Sequence, residues 1–228
     1  LAPILEESNL KATFFLIGNC INNQNLMWRN KLIYMFNKDK SKLYSNIPLI
    51  IKKFSLEIPR KKENIFTWSL RWPMAQKENI IDFLWTNSNL ELLDHFLERE
   101  KPYLSIPQIQ ELLSKGFEIG NHTFSHPDCS RLNSEELLEE LQSTSRILNE
   151  TFGIDCNMVS YPFSDRPNLN IENKVNKTTK SKVLLGVGNN LGNNITPLSW
   201  ERDRQEFKTL TESWFRFSVV PIYRKIVI

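Results

Sequence analysis

A chain of 228 residues, 40% hydrophobic and 11% aromatic, can bury one sizeable core and suits a single domain spanning 1–228. Its 29 basic and 26 acidic residues leave a net charge of +3 with no long basic run, too mild a balance for a nucleic-acid-binding surface. No stretch of ~18 apolar residues is present, so no transmembrane helix is expected; nor is there a signal-peptide pattern, and the three cysteines, Cys20, Cys129 and Cys156, lack the pairing of a disulfide framework.

In chain order, Leu1 to Asn9 reads as the last turns of an amphipathic helix with Ile4 and Leu5 facing inward, so that the chain is expected to begin mid-fold. Lys11 to Ile17 is a near-continuous apolar run, the pattern of a strand buried on both faces of a parallel sheet. The stretch of about 20–100 reads as an inserted, mainly helical excursion. Gln24 to Phe36 carries Leu26, Ile33 and Phe36 at helical spacing, and Ile80 to Leu97 does so with Ile81, Leu84, Leu92, Leu93 and Phe96. Pro48, Pro59 and Pro73 punctuate it, and Trp28, Trp68, Trp72 and Trp85 are read as core rather than as sugar platforms. The basic clusters Lys52-Lys53 and Arg60-Lys61-Lys62, and His95 beside Asp94, are read as solvated surface.

Ser105 and Gln108 form a capping box for a helix over Ile106 to Lys115, which Gly116 stops. A strand over Phe117 to Gly120 follows. Asn133 or Ser134 then caps a helix with Leu137, Leu138, Leu141, Ile147 and Leu148 as its apolar stripe and its glutamates on a solvated face. Asn157 to Tyr161 and Lys182 to Val187 are two further strands. Gly188 to Asn194 is a loop, and Pro197 to Arg202 a short extended piece.

His122 and His126, two of the three histidines, follow the strand at Phe117. Imidazoles four residues apart project from one face of a helical turn, the spacing used when both bind one divalent metal. Neutral imidazole is a common zinc ligand. Cys129, just beyond, is read as a turn residue rather than a ligand.

Gly116-Phe117-Glu118-Ile119-Gly120-Asn121-His122-Thr123-Phe124-Ser125-His126-Pro127 resembles the second motif of the polysaccharide deacetylase family (NodB homology, carbohydrate esterase 4), with Leu132 where that family has a leucine. Leu10 to Gly18 resembles the family's upstream K-A-T-F-F strand, and Tyr161-Pro162-Phe163 its third motif, whereas 20–100 carries no family motif. The resemblance implies an α/β fold, a distorted (β/α)7-type barrel related to the TIM barrel, with an inserted helical segment. It implies His122 and His126 as metal ligands, for zinc first and cobalt, nickel or manganese as alternatives. The Phe163 backbone N–H is implied as an oxyanion donor, and Tyr161, Pro162 and Arg202 as substrate-binding residues.

The family's Asp-Asp motif, source of the base and the third ligand, has its place before Leu1. Ser160 stands where an arginine is common and Ser164 where a glycine is, and no histidine follows His126 to supply the acid of a Leu-His motif. The implied activity is metal-assisted removal of N-acetyl or O-acetyl groups from a glycan or N-acetylated sugar. A catalytically silent glycan-binding or scaffold protein and a hydrolase of small non-peptide amides are the alternatives. Cell envelope and cytoplasm of a bacterium stay open as compartments.

Overall fold

The computed structural model describes residues 2–164, 166–187, 194–196 and 199–202. Helix α1 (Ala2–Glu7) leads into strand β1 (Thr13–Leu16). Leu5 packs inward as expected, but Ile4 is 64% exposed, since a helix of so few residues presents only a narrow buried stripe. β1 is half-buried along its length rather than enclosed, because among the described residues it pairs on one side only, with β2 (Glu118–Asn121).

Six helices follow β1: α2 (Trp28–Lys38), α3 (Lys40–Ser45), α4 (Ile47–Phe54), α5 (Ile65–Leu70), α6 (Met74–Thr86) and α7 (Leu93–Glu100). They form the expected helical excursion, with a core of their own that contains Trp28, Trp68, Trp72 and Trp85. Two of the residues at helical spacing do not join this core. Ile33 is exposed because the buried side of α2 is set by Trp28, Leu32 and Met35, at i, i+4 and i+7. Leu92 is exposed because the periodic run breaks after α6, where Asn89 takes φ 53°, and Leu92 caps the next helix. Pro48 lies in the first turn of α4 and Pro73 caps α6, both places where a missing N–H removes no helical bond.

Helix α8 (Ile106–Ser114) begins at the capping box of Ser105 and Gln108 and ends at Gly116, which takes φ +75°. β2 follows, then α9 (Ser134–Phe152), β3 (Met158–Ser160), α10 (Leu169–Thr179), β4 (Val183–Val187), β5 (Asn194–Thr196) and β6 (Ser199–Arg202). The sheet order is β1-β2-β3-β4-β6-β5. Every pairing is parallel except that of β5 with β6. This is the α/β arrangement expected of a distorted (β/α)7-type barrel, parallel strands joined by helices. The antiparallel β5 was not anticipated. Residues 188–193 and Pro197, parts of the expected loop and extended piece, lie outside the described residues.

Gly120 shows why the strand motif needs a glycine. A Cβ there would lie 2.4 Å from the Phe15 ring, so the β1–β2 contact closes only without one. Because the strands run parallel, the segments leaving β1, β2 and β3 emerge at one end of the sheet, where α/β proteins place their chemistry.

Candidate metal centre and its cleft

His122 follows β2 directly and its N–H donates to the Leu16 carbonyl at 2.9 Å, extending the parallel ladder by one residue. The expected helical turn is not what brings the two histidines together. Residues 122–128 form an irregular loop in which Thr123 (φ 66°) and His126 (φ 59°) take left-handed backbone. That double bend brings the imidazoles to 4.8 Å between ring centroids, edge to face at 77°.

Four anchors hold this loop. Asn121 accepts the Thr123 N–H at 2.8 Å and donates to the Leu141 carbonyl at 2.8 Å and to Ser145 Oγ at 3.1 Å. Glu140 of α9 accepts the N–H groups of Phe124 and Ser125, each at 2.8 Å, and the Ser125 hydroxyl at 2.6 Å. Gly18 and Asn19, just past β1, donate backbone N–H to the Thr123 and Phe124 carbonyls. Trp28 donates its indole N–H to the His126 carbonyl at 3.1 Å.

The reading of every glutamate on α9 as solvated is therefore corrected at Glu140. Burial pushes its carboxyl up, while the Ser125 and Phe124 donors pull it down. A single sequence gives no signal that separates Glu140 from its neighbouring glutamates, and Trp28 was read as core alone.

His122 Nδ1 lies 2.5 Å from the Ser160 carbonyl oxygen. In neutral imidazole, donation from Nδ1 to that carbonyl puts the lone pair on Nε2, the tautomer of a metal ligand held by a backbone acceptor. Ser160, at the position where an arginine is common, is fully buried and contributes through its carbonyl.

The third motif adjoins the histidines through Phe163. Its ring lies 4.6 Å from that of His126 and 5.9 Å from Trp28, with the Arg29 guanidinium 5.4 Å above it. Phe163 takes φ 55°, a left-handed residue at the end of a β-strand connection. Tyr161 and Pro162 are turned inward: the Tyr161 ring is 1% exposed and belongs to the core beneath the sheet. Arg166 lies 5.6 Å above that ring and pairs with the buried Glu172 at 2.6 Å. Burial first, then Glu172, raises the Tyr161 hydroxyl well above its ordinary range. Arg202 ends β6, its backbone in register with Val187, and its side chain lies outside the described part. Cys129 is buried in the core with Leu132 and Leu137, and His95 is exposed on α7.

The two imidazoles fit a divalent ion as two of its ligands. Among the described residues there is no group of three or more His, Cys, Asp or Glu side chains that could hold one. A cleft of about 410 Å³ opens at His122, bounded by Phe15, Leu16 and Ile17 at the end of β1 and by Tyr103 and Leu104 opposite. Beside Trp28 lies a buried amine: Lys77 is 2% exposed, its Nζ is 4.6 Å from the Trp28 ring, and it has no hydrogen-bond partner among the described residues. Burial, then the charge of Arg131, lowers its pKa to about 8.

The sequence model of the family described as polysaccharide deacetylase matches residues 67–181, just over half of the chain. The match begins inside the segment expected to be an insertion without family motifs, and the Leu10–Gly18 strand lies upstream of it. The Bacillus subtilis protein YlxY, described as uncharacterized, is 27% identical over 128 residues, 51% of this chain and 38% of its own length. A peptidoglycan-N-acetylglucosamine deacetylase of Bacillus cereus is 26% identical over 77 residues, 34% of this chain and 26% of its own length. The match thus spans well under half of either relative. Among solved structures, the polysaccharide deacetylase BC0361 of Bacillus cereus is similar at 21% identity and a TM-score of 0.41, over 51% of this chain and 37% of that one.

Proposed function

Because this chain belongs to the polysaccharide deacetylase family, we propose that it is a metal-dependent hydrolase that removes N-acetyl, or O-acetyl, groups from a glycan. The observation that carries this reading is the His122–His126 pair, with His122 fixed through Nδ1 by the Ser160 carbonyl at 2.5 Å. A half-buried pair of imidazoles in edge-to-face contact, one of them held by a backbone carbonyl beside an open cleft, is the arrangement expected of a ligand pair rather than of apolar packing.

His122 and His126 would hold the ion, zinc first, with cobalt, nickel or manganese as alternatives. When bound, a divalent ion supplies Lewis-acid polarisation of an acyl carbonyl and of water. The remaining steps belong to the chain. The Ser160 carbonyl keeps the His122 ring in one tautomer and one orientation. The Phe163 backbone N–H, in a left-handed turn beside His126, is the donor assigned to the oxyanion that forms when the acyl carbon becomes tetrahedral. The walls formed by Phe15, Leu16, Ile17 and Tyr103 shield one side of the reacting group from bulk water. The products are acetate and a free amine, or a hydroxyl for an ester substrate.

The test is acetate release from N-acetylglucosamine oligomers with zinc or cobalt added, set against the His122→Ala and His126→Ala variants. Metal-dependent release lost in both variants supports the reading. Glycan binding without release by the loaded wild type would instead identify a silent, glycan-binding member, and release from small amides alone would identify a non-sugar hydrolase.

A further inference from the structure

Trp28 opens α2, the first helix of the excursion, and is 2% exposed. Its indole N–H donates to the His126 carbonyl at 3.1 Å, and its ring meets that of Phe163 at 5.9 Å, edge to face at 61°. We propose that Trp28 is a positioning residue that sets the metal ligand His126 and the oxyanion donor Phe163 relative to each other, so that the helical excursion is a working part of the site. The inference rests on the deacetylase reading for the roles of those two residues, and adds what holds them in place.

His126 and Phe163 take φ 59° and 55°, left-handed conformations that a residue with a side chain keeps only where its surroundings impose them. They stand on different loops, one after β2 and one after β3, and their rings meet at 4.6 Å. Trp28 touches both, His126 through its N–H and Phe163 through its ring. The net worth of one hydrogen bond is comparable to the cost of one left-handed residue, so loss of this donor is enough to release the His126 backbone. Thr123, left-handed in the same loop at φ 66°, is held instead by Asn121 at 2.8 Å and by the Gly18 N–H at 2.9 Å.

Trp28 is itself fixed from the side of the excursion. Lys77 of α6 sets its Nζ 4.6 Å from the indole ring, and that amine has no hydrogen-bond partner among the described residues, so it faces the ring's negative π surface. Phe163 packs against the core that contains Trp28, Trp68 and Trp72, whereas Tyr161 of the same motif belongs to the core beneath the sheet. Arg29, next along α2, places its guanidinium 5.4 Å above the Phe163 ring. The excursion thus holds the turn of the third motif from outside the sheet. A brace of this kind keeps reacting groups within the narrow tolerance their chemistry needs.

The experiment compares wild type with Trp28→Phe, which keeps a ring and loses the donor, and Trp28→Leu, which loses both. Zinc affinity is measured by competition with a chelator, and φ at His126, Phe163 and Thr123 is followed in the metal-free protein through the HN–Hα couplings in NMR spectra. Urea titration establishes that each variant is folded. Trp28→Phe is expected to bind zinc about tenfold more weakly than wild type and to change the coupling of His126 but not that of Phe163. Trp28→Leu is expected to change both, and Thr123 to stay constant throughout. Wild-type zinc affinity in Trp28→Phe, or an unchanged His126 coupling, overturns the proposal. So does a change that reaches Thr123 equally, since general loosening of the loop would produce it. If Trp28→Leu does not fold, Trp28→Phe decides alone. A wild type that binds no zinc removes the metal reading, and the couplings then decide by themselves whether Trp28 positions the two residues.

Discussion

Glu140 clasps Ser125: its carboxylate accepts both the Ser125 N–H, at 2.8 Å, and the Ser125 hydroxyl, at 2.6 Å. The Phe124 N–H joins them at 2.8 Å, so one side chain on α9 satisfies three donors of the loop between the two histidines. Glu140→Ala would leave these donors without a partner and is expected to lower unfolding stability by about 2–4 kcal/mol, with Glu140→Gln losing less because it keeps an acceptor. Urea titration of the three proteins checks the order.

Lys77 is expected to behave in the opposite sense. Its pKa falls from 10.5 to about 8 on folding, chiefly through burial. Below pH 8 both folded and unfolded chains carry the charge and the full penalty is present. As pH rises from 8 towards 10.5 the folded chain sheds its proton first, so this group's contribution to stability rises. Lys77→Met should stabilise the protein at pH 7 by up to roughly 3 kcal/mol and abolish the rise contributed by this group. Denaturant midpoints at pH 7 and pH 10 measure both effects. An unchanged midpoint at pH 7 would mean that the amine carries no penalty.

Gly120→Ala tests the closeness of β1 and β2. Its new methyl group would meet the Phe15 ring at 2.4 Å, and Phe15 also lines the cleft that opens at His122. The expected cost is about 1–3 kcal/mol of stability. Thermal unfolding of the wild type and the variant reads that cost.

The legible parts of this fold were those written in local chemistry. Ser105 and Gln108 mark a helix start, Gly116 its end, and Asn133 or Ser134 the start of α9, where the structure selects Asn133, because capping is decided within four residues. The histidine pair was legible as a pair. Its backbone was not, since the left-handed turns at Thr123 and His126 are imposed from outside by Glu140, Asn121 and Trp28. Likewise, Ile33 and Leu92 look inward by periodicity alone, but which side of a helix is buried depends on the partner it meets. Tyr161 and Ser160 illustrate the same limit. The third motif could be located, yet that the tyrosine ring would enter the core while the serine carbonyl orients His122 depends on how β3 docks between β2 and β4.

The most direct measurement is the metal content of the purified chain after equilibration with zinc and removal of the excess, made on wild type, His122→Ala and His126→Ala. About one ion per chain in the wild type, lost in both variants, is the predicted result. A wild type that retains no ion, or variants that retain as much as the wild type, would contradict a metal centre at this pair and with it the proposed chemistry.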